Sequence, residues 1–297
     1  IYFTTDGADP RTTSSGIDSD AMTYSSPITL TDNAIIKTRV LDGGEWSAID
    51  TVEFDVSAGT AVVLRVKVFL EGAYDSSAGE MRTDLRSGGH LPLASPYQEN
   101  PRSVLTMPAN ITDWVLVQLR STNDVSELTS RSVFLRNDCR IVGDDGTTEY
   151  VMLDSPDGPY YIIIKHRNHL AIMTPATEAL NSFSTLYDFT GSQSAAYTDG
   201  SDALKDLSGA FGMFSSDANS DGQVTSSDFN TFLPAARTAQ QGYHVADWNM
   251  DGQVTSSDFN LFNPNARNAA NSQVPGESAK TAPVKLRPAT TGLNHAN

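Results

Sequence analysis

The sequence predicts a mainly β protein: two sandwich-like blocks, then a small helical unit and an extended tail. Three observations predict it. Up to about residue 205, short runs rich in Val, Ile, Tyr and Thr alternate with clusters of Gly, Pro, Asn and Asp, the pattern of strands and turns. In the last third, a string beginning at Asp217 recurs almost unchanged at Asp247, and each copy runs into an aromatic stretch with helical spacing. Finally, 297 residues exceed what one small core holds, so two or three domains are expected. The boundaries fall at 1–57 and 58–205 for the β blocks, 206–271 for the repeat pair and 272–297 for the tail.

Composition narrows the function classes. The formal net charge is −16, with 27 Asp against 9 Glu. Such an excess of Asp points to turns and to oxygen-rich cation sites. A protein this acidic repels nucleic acid and anionic membrane surfaces, so neither is an expected partner. The longest apolar run, Ala61 to Leu70, is interrupted by Arg65 and Lys67 and predicts no membrane span. Cys139 is the single cysteine and can form no internal disulfide. Ile1 lies inside a strand pattern, which implies a removed leader or a longer precursor.

In the first block, Ile1-Tyr2-Phe3-Thr4-Thr5 precedes the turn Asp6-Gly7-Ala8-Asp9-Pro10, and Ile35 to Val40 precedes Asp42-Gly43-Gly44. The strings IYFTTDGADP, YSSPITL and IIKTRVLDGGEWS resemble the β-sandwich module named for the C-terminal domain of chitobiase and β-hexosaminidase. That resemblance implies a partial, non-catalytic accessory sandwich of a secreted protein. Members usually carry a strand before the Ile-Tyr segment. The sandwich here is therefore expected to expose an unpaired edge that a strand from another molecule can fill.

In the second block the strands are expected at Val62–Leu70, Trp114–Leu119, Ser132–Leu135, Tyr150–Leu153 and Tyr160–Lys165. With the strings DWVLVQLR and HRNHL, this stretch resembles a module recurrent in large secreted and surface proteins of aquatic bacteria. The resemblance implies an extracellular or cell-surface location and no particular chemistry.

The repeat carries the chemistry. Asp217, Asn219, Asp221, Gly222 and Asp228 occupy positions 1, 3, 5, 6 and 12 of one loop, and Asp247, Asn249, Asp251, Gly252 and Asp258 the same positions of another. Alternate oxygen donors on a tightly wound loop suit a hard cation, so two Ca²⁺ sites are expected. Gln223 and Gln253 would lend backbone carbonyls at position 7, and Thr225 and Thr255 a water or hydroxyl contact at position 9. Val224 and Val254 would pack inward. Phe229 with Phe232, and Phe259 with Phe262, stand on one helical face. Pro234 and Pro264 are expected to stop the helices. The two loops resemble type I dockerin repeats over about 60 residues. The resemblance implies a dockerin-like unit whose partner choice rests on Ser226, Ser227, Ser256 and Ser257.

His166 and His169 have HxxH spacing, but the strand pattern before them and the absence of a further donor make them hydrogen-bonding residues of a strand-end turn rather than zinc ligands. No nucleophile elbow, phosphate-binding loop or HExxH is present, so no catalytic activity is expected. The reading that results is a non-catalytic, extracellular, calcium-binding structural or assembly protein. Its expected partner is a second copy of itself, through strand exchange into a filament that engages the tail at Ala282–Leu286, or another secreted protein. Two alternatives are a dockerin tether of a secreted enzyme to a cohesin scaffold, and a carbohydrate-binding adhesin.

Overall fold

The computed structural model describes residues 1–28, 30, 34–54, 61–121 and 128–277, in two compact units, Ile1–Thr60 and Ala61–Asn297. In the first unit, β1 (Tyr2–Thr4), β2 (Met22–Thr23) and β3 (Ala34–Arg39) precede a small hairpin, β4 (Leu41–Asp42) with β5 (Glu45–Trp46), and β6 (Asp50–Phe54). The main sheet has the order β2-β1-β3-β6 and is antiparallel. Phe3, Ala34 and Ile36 are buried in it, with half-buried Ile28 and Leu30 against them. Arg39 clamps Asp9 through two bonds of 2.8 Å and holds that carboxyl down at about 2.

This arrangement corrects one expectation. The Ile-Tyr segment is not an unpaired edge, because β1 is hydrogen-bonded on both sides, Tyr2 facing Thr23 and Arg39. The turn at Asp18–Asp20 brings the chain back to supply the second neighbour. The edges are β2 and β6, and every side chain of β6 is exposed.

The second unit begins with β7 (Ala61–Lys67) and β8 (Phe69–Leu70), a short ladder of β9 (Tyr74–Asp75) with β10 (Glu80–Met81), and the one-turn helix α1 (Asp84–Ser87). Then come β11 (Ile111–Arg120), β12 (Leu128–Arg136), β13 (Ile141–Val142), β14 (Val151–Asp154), β15 (Gly158–His166), β16 (His169–Met173), β17 (Glu178–Leu180) and β18 (Leu186–Asp188). β19 (Lys205–Asp206), β20 (Phe211–Met213), α2 (Ser226–Arg237) and α3 (Ser256–Arg267) complete it. The largest sheet runs β13-β12-β11-β15-β16, with β17 also on β15. Two three-stranded sheets, β14-β7-β18 and β19-β20-β8, contain one parallel pair each.

The alternation of β7 explains the core: Val62, Leu64 and Val66 are buried while Arg65 is exposed. They join Val115, Val117, Leu119, Val133, Leu135, Ile162 and Ile164 in one cluster between the sheets. All ten residues of β11 are buried, so its sheet is covered on both faces. On the second face Ile163 and Met173 pack with Val274.

That contact revises the tail. Ser272 to Glu277 are docked rather than extended: the Ser272 hydroxyl donates to the Ala171 carbonyl at 2.9 Å, Arg120 donates to the Pro275 carbonyl at 3.1 Å, and Lys165 pairs with Glu277 at 2.6 Å. Burying the second face of the sheet is the cause. The segment Ala282–Leu286 lies outside the described residues.

The repeat pair is likewise not a separate body but part of the unit that starts at Ala61. Its helices share an aromatic core in which the Trp248 ring is stacked between Phe232, at 5.1 Å, and Phe262, at 5.3 Å. The prolines do not stop the helices. Pro234 and Pro264 lie inside the helices, where each costs a backbone donor and crowds the carbonyl one turn back, a cost the shared aromatic core outweighs. The stop comes at Ala239 and Ala269, both in the left-handed region (φ 47° and 48°), where the Gln240 and Ala270 amides close back on the Ala235 and Asn265 carbonyls.

At Gly72, in the turn after β8, the repeat packs against the backbone. A Cβ there would lie 1.7 Å from the Trp248 carbonyl oxygen. Gly72→Ala should destabilise the protein by about 1–3 kcal/mol or more, whereas Gly191→Ala, with no atom in the way, should leave the urea midpoint unchanged. Equal midpoints for the two variants would refute the packing account.

Candidate metal site

Each loop is shaped by its own carboxylates. In the first, Asp217 accepts from the amides of Asp221 and Gly222, both at 3.1 Å. In the second, Asp247 accepts from Asp251 and Gly252 at 3.1 and 2.9 Å. Gly222 and Gly252 take φ of 78° and 87°, the left-handed backbone that the sharp turn requires. Asn219 and Asn249 each accept from the amide of the following Asp and donate to its carboxylate at 2.8 Å. Gln223 and Gln253 have exposed side chains, and their amides donate to Asp221 and Asp251 at 3.0 and 2.9 Å.

Thr225 and Thr255 do more than position 9 suggested. They are the N-caps of α2 and α3, and Asp228 and Asp258 reach back to their amides at 2.8 Å, a reciprocal capping box. The signal was legible as T-x-x-D ahead of an aromatic run. The other oxygen of Asp228 accepts from Ala218, and that of Asp258 from Trp248 and Asn249. Position 12 therefore closes the loop and starts the helix at once.

Ser226 and Ser256 are exposed at the first helical position. Ser227 and Ser257 are half-buried, each sharing a hydrogen bond with the cap threonine and receiving one from Asn219 or Asn249.

Burial makes these carboxyls weak acids. Burial, then the neighbouring charges of Asp228 and Asp221, pushes Asp217 up to about 7. Asp247 is pushed up to about 7 by burial, with the nearby Arg167 guanidinium opposing. Burial raises Asp228 to about 6, against the amides that bond it, and raises Asp258 in the same way. Among the described residues no three His, Cys, Asp or Glu side chains form a close metal-holding cluster. The candidate donors are a mixed oxygen set, carboxylates with an Asn oxygen and a main-chain carbonyl, which is the chemistry of a hard cation rather than of zinc.

The loops hang on the turn between β15 and β16. The Asn168 carbonyl accepts from the amides of Ser216 and Asp217, and its side chain donates to the Asp247 carbonyl at 2.8 Å. One residue thus touches position 1 of both loops. Behind it, fully buried Asp113 accepts from His166 at 3.1 Å, Arg167 at 3.0 Å and Tyr243 at 2.6 Å. Burial alone would raise Asp113, but Arg167, His166 and Tyr243 outweigh it and hold the carboxyl below its usual value. His166 and His169 are hydrogen-bonded to each other at 2.9 Å, and His169 Nε2 accepts from the Gly72 amide. Burial depresses both imidazoles, which leaves neutral rings with their nitrogens used. The HxxH spacing marks the turn, but Asp113, in the string DWVLVQLR, lies more than 50 residues away in sequence and carries no local signal of this contact.

The loops also brace each other. Val224 donates to the Ala270 carbonyl beyond α3, and Val254 to the Gln240 carbonyl beyond α2. The segment that follows each helix therefore clamps the loop belonging to the other.

Residues 1–51 match the Chitobiase/beta-hexosaminidase C-terminal domain family. No curated protein matches the chain. Among solved structures, it is similar to two type II cohesin–X-dockerin complexes from Acetivibrio cellulolyticus, an N-terminal and a C-terminal interface mutant. Identities are 14% and 15%, covering 73% and 72% of this chain and 98% of each of those chains, with TM-scores of 0.35 and 0.33. At those scores the likeness carries no argument about partners or ions. Among the described residues no helix is long and apolar enough to cross a membrane.

Proposed function

We propose that this chain is a non-catalytic, extracellular structural or assembly component whose repeat pair takes up two Ca²⁺ ions. The observation that carries the reading is the duplicated loop, in which two buried carboxyls are gathered with almost the same hydrogen bonds twice over. Asp217, Asn219, Asp221, Asp228 and the Gln223 carbonyl would hold one ion; Asp247, Asn249, Asp251, Asp258 and the Gln253 carbonyl would hold the other. A bound dication supplies the positive charge that lets these buried carboxylates stay ionised, and so rigidifies the unit. The match of residues 1–51 to an accessory domain supports the non-catalytic role. Assembly with another secreted protein or with a second copy follows, and the exposed edge β6 is the surface a strand could join. A dockerin-type partnership would use the exposed Ser226 and Ser256.

Ion affinity should fall as pH drops through about 7 to 6, because Asp217, Asp247 and Asp228 must then lose protons to bind. The sign for the ion-free protein is opposite. A carboxyl raised in the folded state lends stability below its unfolded value and loses it as pH rises towards about 7. Thermal unfolding in EGTA should therefore show the Asp217→Asn, Asp247→Asn double variant gaining on the parent between pH 5 and 8. A constant difference would count against buried, unneutralised carboxyls.

Titration calorimetry at pH 7.5 should detect two calcium equivalents. Asp228→Ala and Asp258→Ala should each weaken one site by about tenfold or more. Absence of heat would remove the ion-binding reading. Electron microscopy with calcium and with EGTA tests assembly, and monodisperse particles in both would remove the filament.

A further inference from the structure

Along the two helices the repeats differ at one buried position. Where α2 carries Ala235, α3 carries Asn265, fully buried. Its amide sits between two charged side chains from distant strands. Asn265 Oδ1 accepts from Lys205 Nζ at 2.9 Å, and Asn265 Nδ2 donates to Glu71 Oε2 at 2.6 Å. Lys205 Nζ also lies 3.4 Å from Glu71 Oε1. The surroundings select this orientation of the amide, because Nδ2 faces three acceptors, Glu71 Oε2 with the Ser215 carbonyl and hydroxyl at 3.3 and 3.4 Å, while Oδ1 faces a donor. Glu71 is fixed in turn by the Ser215 amide and hydroxyl at 2.8 and 2.9 Å.

An amine, a carboxamide and a bridging carboxylate are the components of a transamidation. We propose that Lys205 and Asn265 condense to an isopeptide bond, with Glu71 as the proton carrier. Glu71 Oε1 takes a proton from the Lys205 ammonium. The freed amine moves from Oδ1 onto the face of the adjacent Cγ and attacks it, and the carbonyl electron pair shifts to Oδ1. Glu71 returns that proton to the leaving nitrogen as the Oδ1 electron pair re-forms the carbonyl and the Cγ–Nδ2 bond breaks, and the second proton of the attacking nitrogen passes through the same carboxylate to the released ammonia, which departs as ammonium. The net change is R–NH₃⁺ plus R′–CO–NH₂ giving R′–CO–NH–R plus NH₄⁺, with Glu71 a carboxylate before and after. Nothing is oxidised and no co-reactant is consumed.

The site favours this reaction over hydrolysis. Asn265 is 0% and Glu71 9% exposed, so water is kept from the amide. The Phe214 ring, 5.5 Å from Nζ, walls one side. The reacting groups are held together by the fold, which replaces an encounter in solution by a fixed geometry. The Lys205 side chain is 23% exposed, and along it ammonium can leave. The bond would close a covalent loop from β19 through α2 to α3, enclosing both candidate ion loops and limiting how far they can separate on unfolding. It does not depend on the ion-binding reading.

Intact-mass spectrometry of the purified chain tests it. The expected mass is lower than the sequence mass by one ammonia, and a digest should contain a branched peptide joining Lys205 to Asn265. Glu71→Gln and Lys205→Arg, checked for native circular dichroism, should each restore the full mass and two linear peptides. A natively folded parent with full sequence mass and separate Lys205 and Asn265 peptides overturns the proposal. So does a loss of ammonia without the branched peptide, which would place the loss at a cyclised Asn or Gln elsewhere.

Discussion

The turn from His166 to His169 is the point on which the second unit depends. It must sit where the β sheet meets the repeat pair, in a region from which water is excluded, and its polar atoms therefore need partners from both sides. Asp113 supplies the anion for Arg167 and a hydrogen-bond acceptor for His166, and Asn168 supplies hydrogen bonds to both loops. Removing any one of these groups would leave a buried charge or amide unmatched, a cost that exceeds the net worth of the bond itself. This explains why the repeat pair is fused to the sheet rather than tethered to it.

The same logic runs through the loops. Asp217 and Asp228, and their counterparts Asp247 and Asp258, are buried carboxyls with backbone amides around them and, among the described residues, no basic side chain bonded to them. Amide dipoles offset part of the desolvation penalty, and the remainder appears as raised pKa values, that is, weaker acids. The same arrangement of buried carboxyls and main-chain amides occurs twice, once in each loop. Lys205 and Asn265 stand apart from that scheme, since they are neutralised and bonded from within by Glu71.

Stacking sets the geometry of the pair. Trp248 occupies position 2 of the second loop, where the first has Ala218, and its ring fills the gap between Phe232 and Phe262. One large residue in one loop can serve both helices because they pack side by side. Exact duplication would have placed two indoles, or none, in that space. The repeats therefore differ where they meet each other or the sheet, and agree where they face their own loop.

Much of the local structure was legible from the sequence. Strands were readable from alternation, as in Val62-Leu64-Val66, and the loops from Asp and Gly spacing, because both depend on neighbours within a few residues. The helix ends do not lie at Pro234 and Pro264, where the sequence points, because the helices run on to the left-handed Ala239 and Ala269. What only the tertiary structure decided lies in contacts of long sequence separation. The second neighbour of β1, the docking of Val274, the pairing of Asp113 with Arg167, and the meeting of Glu71, Lys205 and Asn265 all belong here. Sequence determines which side chains are able to bond; which of them lose water together, and so are compelled to, is fixed when the sheet and the repeat close on each other.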